Sequence, residues 1–343
     1  MPEALLYERS PDNVVHCKLC AHRCSISENK RGVCNVRENR NGTLHTLVYG
    51  RTIAQNVDPI EKKPLFHFHP GSASFSISTP GCNFRCEWCQ NADISQAPKE
   101  RDIIAGVEAG PEEIVSAAQR TGCHSIAYTY TEPTVFFEYV YDTSRLAHKA
   151  GIANVWVSNG YMSGEMLELL HPYLDAINVD LKAFRAGTYR KYVGARLQPV
   201  LDNLRKLREL GVFLEVTTLV IPGINDGEDE LRDAAGFISG ELGVDTPWHI
   251  SRFYPMYKMT NIPATPLNTL ELARGIGVEA GLRYVYIGNV PGGGHEDTSC
   301  FSCGRIVVER VGYRTKTVGL DGSRCSFCGT ELNFKRQGGG SDD

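Results

Sequence analysis

The sequence predicts an α/β protein whose parallel strands form a full or partial (β/α) barrel, flanked by two cysteine-rich segments. Apolar, β-branched or aromatic runs recur seven times between residues 75 and 288, with helical patterns between them. Strands that alternate with helices imply a parallel sheet, and six or more such units close naturally into a barrel. The flanking segments are recognised because eleven of the 12 cysteines fall into three clusters, one before the repeated units, one within them and one after them.

The individual elements follow from local patterns. Leucines at every third position from Leu201 to Leu210 predict a helix that ends at Gly211. Pro133 suits the first turn of a helix that runs to Lys149. An open doubly wound sheet is the alternative, but no strand is followed by a G-x-G-x-x-G motif. The predicted strands are 75–79, 125–130, 153–158, 176–181, 213–220, 248–254 and 283–288.

The same patterns divide the chain into four segments. Residues 1–70 contain four cysteines and form a lead-in with a Pro/His-rich end, and residues 71–290 form the barrel. Residues 291–335 begin with a glycine-rich run, hold four cysteines and are expected to form a zinc-ribbon-like module. Residues 336–343 are expected to be a disordered tail.

Charge, hydropathy and cysteine usage indicate which partners and which cellular location to expect. The formal net charge of −4 makes nucleic acid or an acidic membrane an unfavourable partner. The sequence has no run of about 18 apolar residues and no basic start followed by an apolar stretch, so we expect neither a membrane span nor a signal peptide. A cytoplasmic location is therefore expected, where cysteine clusters indicate metals and not disulfides. Cys123, outside the clusters, is expected to be a small buried apolar residue.

The central cluster carries the strongest chemical signal. Cys82, Cys86 and Cys89 have the spacing C-x3-C-x2-C directly after the predicted strand 75–79, with no fourth cysteine nearby. Three thiolates can hold three irons of a [4Fe–4S] cluster and leave the fourth iron open. Because four cysteines are the usual ligand set, the missing ligand indicates an iron that binds a cofactor. The alternative is a zinc knuckle that takes a distant fourth ligand.

This motif resembles the signature of the radical S-adenosylmethionine (radical SAM) superfamily, C-x3-C-x-aromatic-C, with Trp88 at the aromatic position. The resemblance implies a partial (β/α)6 barrel of the TIM type. It also implies that SAM chelates the open iron and is cleaved reductively to a 5′-deoxyadenosyl radical, which abstracts hydrogen from a substrate. An external reductant such as flavodoxin or ferredoxin would supply the electron.

The resemblance assigns cofactor contacts to the carboxyl ends of the predicted strands. Glu132 takes the carboxylate position of a Gly-Gly-Glu motif, with Tyr130 and Thr131 in place of the glycines; the alternative is a glutamate at a helix N-terminus. Trp88, beside the cluster, is also expected to contact the cofactor.

Further contacts follow from Asn178-Val-Asp180-Leu-Lys182, which resembles a run in pyruvate formate-lyase activating enzymes. There the aspartate helps bind a monovalent cation and the lysine meets the SAM carboxylate, although Val157 stands where those enzymes have another aspartate. The alternative is a plain ion pair at a strand end. The remaining expected contacts are Ser158, Asn159 and Thr217.

The two outer clusters have metal-site spacings. The first, C-x2-C-x3-C-x9-C, can close a site holding zinc or an auxiliary iron–sulfur cluster; its members are Cys17, Cys20, Cys24 and Cys34. The second consists of two C-x2-C pairs, each followed by glycine, and predicts a zinc ribbon, with a rubredoxin-like iron site as the alternative. Its members are Cys300, Cys303, Cys325 and Cys328.

The whole chain resembles the radical SAM member of the AmmeMemoRadiSam system, in runs that include 48–51, 58–71 and 284–289. The resemblance implies association with Memo-like and AMMECR-type proteins and names no substrate. The main hypothesis is a radical SAM enzyme that abstracts hydrogen from an unidentified small molecule or protein residue, with a glycyl-radical activase-like role as one option. An RNA-modifying radical enzyme and a non-catalytic metal-bound scaffold are the alternatives. A lid or wall near the cluster, with one residue meeting the substrate, is expected from Glu61, Lys62, Lys63, His67 and His69.

Overall fold

The computed structural model describes residues 1–292 and 294–336. Apart from Arg336, the predicted tail lies outside the described residues. The described strands are β1 (Tyr7–Arg9), β2 (Val15–Cys17), β3 (Ser25–Ile26), β4 (Arg37–Arg40), β5 (Thr43–Thr46), β6 (Arg51–Thr52), β7 (Ala54–Pro59), β8 (Ala73–Ser78), β9 (Val107–Glu108), β10 (Ser125–Tyr128), β11 (Ala153–Ser158), β12 (Ala176–Asp180), β13 (Phe213–Val220), β14 (Trp248–Arg252), β15 (Val285–Gly288), β16 (Thr298–Ser299), β17 (Ile306–Val311), β18 (Arg314–Thr317), β19 (Leu320–Asp321) and β20 (Arg324–Cys325). The described α-helices are α1 (Ala92–Ser95), α2 (Ala97–Glu100), α3 (Pro111–Arg120), α4 (Phe137–Lys149), α5 (Gly164–Leu170), α6 (Ala186–Thr188), α7 (Gln198–Glu209), α8 (Glu228–Phe237) and α9 (Leu267–Glu279).

The central sheet confirms all seven predicted strands. Its parallel strands follow one another in chain order, β8-β10-β11-β12-β13-β14-β15, and β7 joins the β8 edge as an antiparallel strand. A doubly wound sheet reverses its strand order at a switch point, so that alternative is wrong. Within the described residues no ladder joins β7 to β15, which makes the barrel a partial one.

Helix ends follow the sequence signals. The predicted leucine-rich helix is α7, and Gly211 just beyond it has φ +72°, a left-handed conformation that glycine adopts without strain. The predicted helix from Pro133 begins as a 3-10 turn and continues as α4. Strand β10 ends two residues earlier than expected, because Tyr130 also adopts a left-handed conformation, with φ +64°.

The end of the lead-in fills the interior of the partial barrel. Its apolar residues pack against the inner faces of three strands in a separate buried cluster that contains Ile60, Leu65, Phe68, Ala127, Val155 and Ala176. The fully buried carboxylate of Glu215, on β13, accepts hydrogen bonds from the backbone N–H groups of Phe66 (3.1 Å) and His67 (2.8 Å). It also pairs with His249 Nε2 at 2.6 Å. The Glu215 carboxylate thus adds a buried polar anchor to the apolar contacts between the lead-in and the sheet.

His67 joins the lead-in to the C-terminal module. Its Nδ1 lies 2.7 Å from the carbonyl oxygen of Asn333, so Nδ1 carries the proton. Its Nε2 therefore accepts a hydrogen bond from the Tyr286 hydroxyl at 2.6 Å, and the ring stacks on Phe334 with centroids 4.2 Å apart. Burial lowers the pKa of His67 to about 4. The folded protein consequently holds this imidazole neutral.

We expect acid to weaken the fold through His67. Unfolding returns the ring to a pKa near 6.5, so its contribution is complete above that value and is lost as pH falls towards 4. Between pH 7 and pH 5 the loss is about 2 kcal/mol. Urea denaturation at both pH values measures it, with a His67→Gln variant as the control. His69, whose pKa burial also lowers to about 4, titrates in both proteins, so their difference isolates His67.

The C-terminal module packs on the lead-in through Arg310. Its guanidinium donates to the Phe66 carbonyl at 2.6 Å and to the Thr298 hydroxyl at 2.7 Å, and lies 4.3 Å above the Phe66 ring. The side chain is almost completely buried. Because a buried cation needs such partners, the module and the lead-in stabilise each other. Among the helices that the structure describes, none is long and apolar enough to cross a membrane.

Candidate functional site

A cavity of about 480 Å³ opens at the carboxyl ends of the parallel strands. The sequence predicted functional groups at this edge, and the structure brings all of the expected central residues to the cavity wall. These are Cys82, Cys86, Trp88, Cys89, Glu132, Ser158, Asn159, Asp180, Lys182 and Thr217. The residue types and their placement therefore define one candidate site.

The three central cysteines lie on the loop that follows β8. The Phe84 N–H points at Cys82 Sγ over 3.3 Å, and the Ser95 hydroxyl lies 3.3 Å from Cys89 Sγ. Burial raises the pKa of Cys86 to about 12, and a metal is what keeps such a thiol ionised. These thiols are not drawn together around a single point: among the described residues, only the C-terminal cysteines bring three or more ligand atoms within 4.8 Å of one another. The central cysteines therefore do not form the arrangement of a single tetrahedral ion.

Glu132 ties the ends of β10 and β11 together. Its Oε1 accepts from the Thr134 N–H at 3.0 Å and from the Ser158 hydroxyl at 2.9 Å, so the glutamate does cap a short helix. Its Oε2 accepts from the Asn159 N–H at 2.8 Å. A carboxylate oxygen has two lone pairs, so Oε2 retains capacity for one further donor in the cavity. Burial raises the pKa of Glu132.

Tyr130 takes the backbone conformation that a glycine would supply. At φ +64° it is strained for a residue with a side chain, and its neighbours hold it there. Asn91 Nδ2 donates to the Tyr130 carbonyl at 2.7 Å, and the Tyr130 hydroxyl donates to Asp58. The sequence showed that Tyr130 replaces a glycine of the Gly-Gly-Glu motif, but it gave no signal for the hydrogen bonds with Asn91 and Asp58.

Asp180 and Lys182 form the ion pair that was the alternative to a cofactor role, with Nζ 2.7 Å from Oδ2. Burial lowers the pKa of Lys182, but the Asp180 carboxylate and the Cys86 sulfur outweigh burial and raise it. The lysine is therefore a fixed positive charge beside the cysteines. It already neutralises Asp180, and Val157 in the same wall offers no oxygen ligand, so a metal cation has little to bind here.

The lead-in contributes only part of the expected wall. Lys62 and Lys63 line the cavity, and both bind Asp58, at 2.8 and 2.6 Å. Although burial opposes it, the two lysines and Tyr130 hold the pKa of Asp58 far below its usual value. Burial lowers the pKa of Lys63 to about 8.

The other three lead-in residues are not part of the cavity lining, which corrects the expectation for them. Glu61 accepts from the Gly71 N–H at 2.7 Å, and the backbone N–H of His69 donates to the Lys335 carbonyl at 2.8 Å. His67 lies under the C-terminal module, as described above. Tyr313, at the tip of the β17–β18 hairpin, lines the cavity instead, and nothing in the sequence predicted it.

The two outer cysteine sets differ in geometry. In the C-terminal set, Cys300 and Cys328 have sulfur atoms 3.7 Å apart, as do Cys303 and Cys325. A tetrahedral ion with bonds of about 2.3 Å places its sulfur ligands about 3.8 Å apart, so this set fits one zinc ion. The four N-terminal cysteines line a separate small pocket. Among the described residues, no three of their sulfur atoms lie within 4.8 Å of one another.

Comparisons with known proteins agree with this site. The family model described as "Radical SAM superfamily" matches residues 76–235. An uncharacterized protein of Methanocaldococcus jannaschii is 47% identical over 336 residues, which cover 97% of this chain and 99% of that protein. The pyruvate formate-lyase-activating enzyme of Clostridium pasteurianum is 22% identical over 200 residues, 54% of this chain and 81% of that enzyme.

Similarity to solved structures agrees with the fold. A radical SAM methyltransferase from Sphaerobacter thermophilus superposes with a TM-score of 0.51 at 16% identity, over 70% of this chain and 71% of that one. The family match, the extensive similarity to a full-length relative and the cysteine-lined cavity at the strand ends lead to the same conclusion. The chain belongs to the radical SAM superfamily and is similar to pyruvate formate-lyase activating enzymes.

Proposed function

We propose that the protein cleaves SAM reductively and uses the resulting radical to abstract hydrogen from a small molecule or a protein residue. The observation that carries the proposal is the convergence of three cysteines and seven expected cofactor contacts on one cavity. When bound, a [4Fe–4S] cluster and SAM supply one-electron cleavage of the S–C5′ bond and a 5′-deoxyadenosyl radical. The protein must hold these groups and exclude water.

The cavity residues suit these tasks. Cys82, Cys86 and Cys89 would hold the cluster. Lys182 offers a fixed ammonium for the SAM carboxylate, and Glu132 Oε2 can accept a hydrogen bond from the SAM amine. Trp88 lines the cavity with an indole N–H that has no partner among the described residues, so it is available to a ligand.

The polar groups of Ser158, Asn159 and Thr217 complete the proposed cofactor contacts. Thr217 donates to the side-chain oxygen of Asn178 at 2.8 Å, so its position is fixed by the neighbouring strand. The lead-in lysines and Tyr313 lie at the same cavity, and we assign this side to the substrate. The similarity to an activating enzyme supports an activase-like substrate, a residue of another protein.

We also propose the accessory components. A ferredoxin or flavodoxin would supply the electron, and the sequence resemblance supports Memo-like and AMMECR-type proteins as partners. None of the twelve cysteines, all of which the structure describes, forms a disulfide bond, which supports a location in the reducing cytoplasm. The 3.7 Å sulfur separations support zinc in the C-terminal module.

The decisive experiment is anaerobic reconstitution with iron and sulfide, followed by dithionite and SAM, with 5′-deoxyadenosine measured by chromatography. We expect 5′-deoxyadenosine to form in a reductant-dependent manner. A fully reduced cluster that never cleaves SAM would overturn the proposal and leave the scaffold alternative. Strongly salt-dependent RNA binding by the same sample would favour the RNA-modifying alternative.

Replacing Lys182 should weaken SAM binding. A Lys182→Met variant keeps the length of the side chain but loses the charge, and a hydrogen bond to a charged group contributes about 1.5–3 kcal/mol. The dissociation constant for SAM should therefore rise by about 10- to 100-fold, as measured by anaerobic titration of the reconstituted protein. Lys191→Met, at an exposed position, is the matched control. Equal affinities in the two variants would remove Lys182 from the SAM site.

A further inference from the structure

The spacing of the N-terminal cysteines is compatible with zinc and with an auxiliary iron–sulfur cluster. The arrangement of their sulfur atoms distinguishes the two. We propose that these four thiols hold a second [4Fe–4S] cluster, ligated at every iron by the protein, and that the chain therefore carries two iron–sulfur clusters and one zinc ion. The ligands are Cys17, Cys20, Cys24 and Cys34. This inference does not depend on SAM cleavage.

The first argument is the separation of the sulfur atoms. A single tetrahedral ion needs all four sulfurs about 3.8 Å apart, and the C-terminal set meets this requirement. Within the described residues no three of the N-terminal sulfurs lie within 4.8 Å of one another, and the same holds for the central set. Thiolates on a cube are farther apart than around one ion, because each caps a different corner. The N-terminal set thus lacks the arrangement that a single tetrahedral ion needs, which favours the cluster among the two metals that its spacing allows.

The second argument is the pocket that the four thiols enclose. Its other walls are mainly apolar, with Leu19, Ile26, Val33 and Val135 among the lining side chains. The polar residues His22, Asn83 and Thr134 also line it, and Arg37 is its one Lys or Arg residue.

Arg37 supplies a further observation. It is only 1% exposed and forms an ion pair with Glu138 at 3.0 Å, yet its Nε has no hydrogen-bond partner within the described part of the chain. Four thiolates give a net charge of about −2 with either zinc or an oxidised cube, so charge does not separate the two metals. The number of hydrogen-bond acceptors does distinguish the two metals, because an iron–sulfur cube adds sulfide acceptors that a zinc ion lacks. The unpartnered Nε–H fits the cube.

The pocket also adjoins the central site. Asn83 follows Cys82 directly and lines the N-terminal pocket, where its carbonyl lies 2.8 Å from His22 Nε2. Its side-chain oxygen accepts from Asn159 at 2.7 Å. A Cβ at Gly81 would lie 2.7 Å from Val36 Cγ1, so the two cysteine loops pack without a gap. A fully ligated cluster has no open iron, so the second cluster would lie beside the SAM site without binding SAM itself.

The test uses full-length protein in which Cys82→Ala, Cys86→Ala and Cys89→Ala are combined. After anaerobic reconstitution we expect this variant to retain about four irons, about four sulfides and about one zinc per chain, against about eight irons in the unaltered protein. Its electron paramagnetic resonance signal after reduction should not change when SAM is added. An iron-free variant with about two zinc ions would overturn the inference, whatever the outcome for SAM cleavage.

A matched pair of variants adds a second readout. Cys20→Ser with Cys34→Ser should lose about four irons and keep its zinc, whereas Cys303→Ser with Cys328→Ser should lose its zinc and keep all of its iron. Zinc loss from the first variant would contradict the inference. If the first variant fails to fold, the metal content of the unaltered protein and of the triple variant still decides the question.

Discussion

Cys86→Ala is expected to abolish formation of 5′-deoxyadenosine, whereas Cys123→Ala should leave it unchanged. Both residues are buried cysteines, so the two substitutions remove the same atoms from similar surroundings. Only Cys86 lies on the cavity wall, at the centre of the loop that presents the three thiols. Cys123 contacts the Thr121 hydroxyl at 3.3 Å, at the end of α3 and outside the cavity lining.

The physical reason is the number of ligands. With three thiolates the cluster has no spare protein ligand, so the loss of one leaves a second iron without a thiolate. The measurement is 5′-deoxyadenosine per chain under dithionite, together with the iron content of each variant. Cys86→Ala protein that cleaved SAM at the unaltered rate would refute the three-thiolate site. A matching loss in Cys123→Ala protein would show that the effect comes from folding and not from ligation.

Glu215→Ala is expected to lower the free energy of unfolding by about 3–5 kcal/mol, because it removes the acceptor of three buried hydrogen bonds. The carboxylate is fully buried and has three donors: His249 and the backbone N–H groups of Phe66 and His67. Alanine would leave these donors unsatisfied in the barrel interior and would release the lead-in from the sheet.

Urea denaturation at pH 7 measures this loss. Glu168→Ala, on the exposed face of α5, is the matched control and should change stability by less than about 0.5 kcal/mol. Glu215→Gln keeps the shape and one acceptor oxygen, so its effect should fall between the two. A loss in Glu215→Ala no larger than in the control would show that the lead-in is held by its apolar contacts alone.

The sheet and the cavity edge were predictable because their signals are local. Each strand is a short β-branched or aromatic run bounded by turn residues, and parallel strands place their carboxyl ends at one edge. The expected contacts at Glu132, Lys182 and the other strand ends therefore met at one cavity. The strand end at Tyr130 was not predictable, since only tertiary contacts hold a tyrosine at positive φ.

Long-range packing was the part that the sequence did not reveal. Glu215 is the one charged residue of β13, and two of its partners, Phe66 and His67, lie about 150 positions away in the lead-in. Tyr313 likewise lies far along the chain from the other cavity residues, the nearest of which is Ser251, 62 positions away. Cysteine spacing predicted which thiols act together, but spacing does not determine how far apart the sulfurs lie, and so did not separate zinc from iron.

The lead-in connects the C-terminal module to the chamber at the strand ends. The segment from Lys62 to His69 borders the chamber at one end and the module at the other, where Arg310 caps the Phe66 carbonyl. A shortened protein that stops before the module would leave that carbonyl and the His67 imidazole facing solvent. Loss of a metal from the module would then loosen a segment that also lines the cavity, so a site remote from Cys82, Cys86 and Cys89 would influence the shape of the cavity that they border.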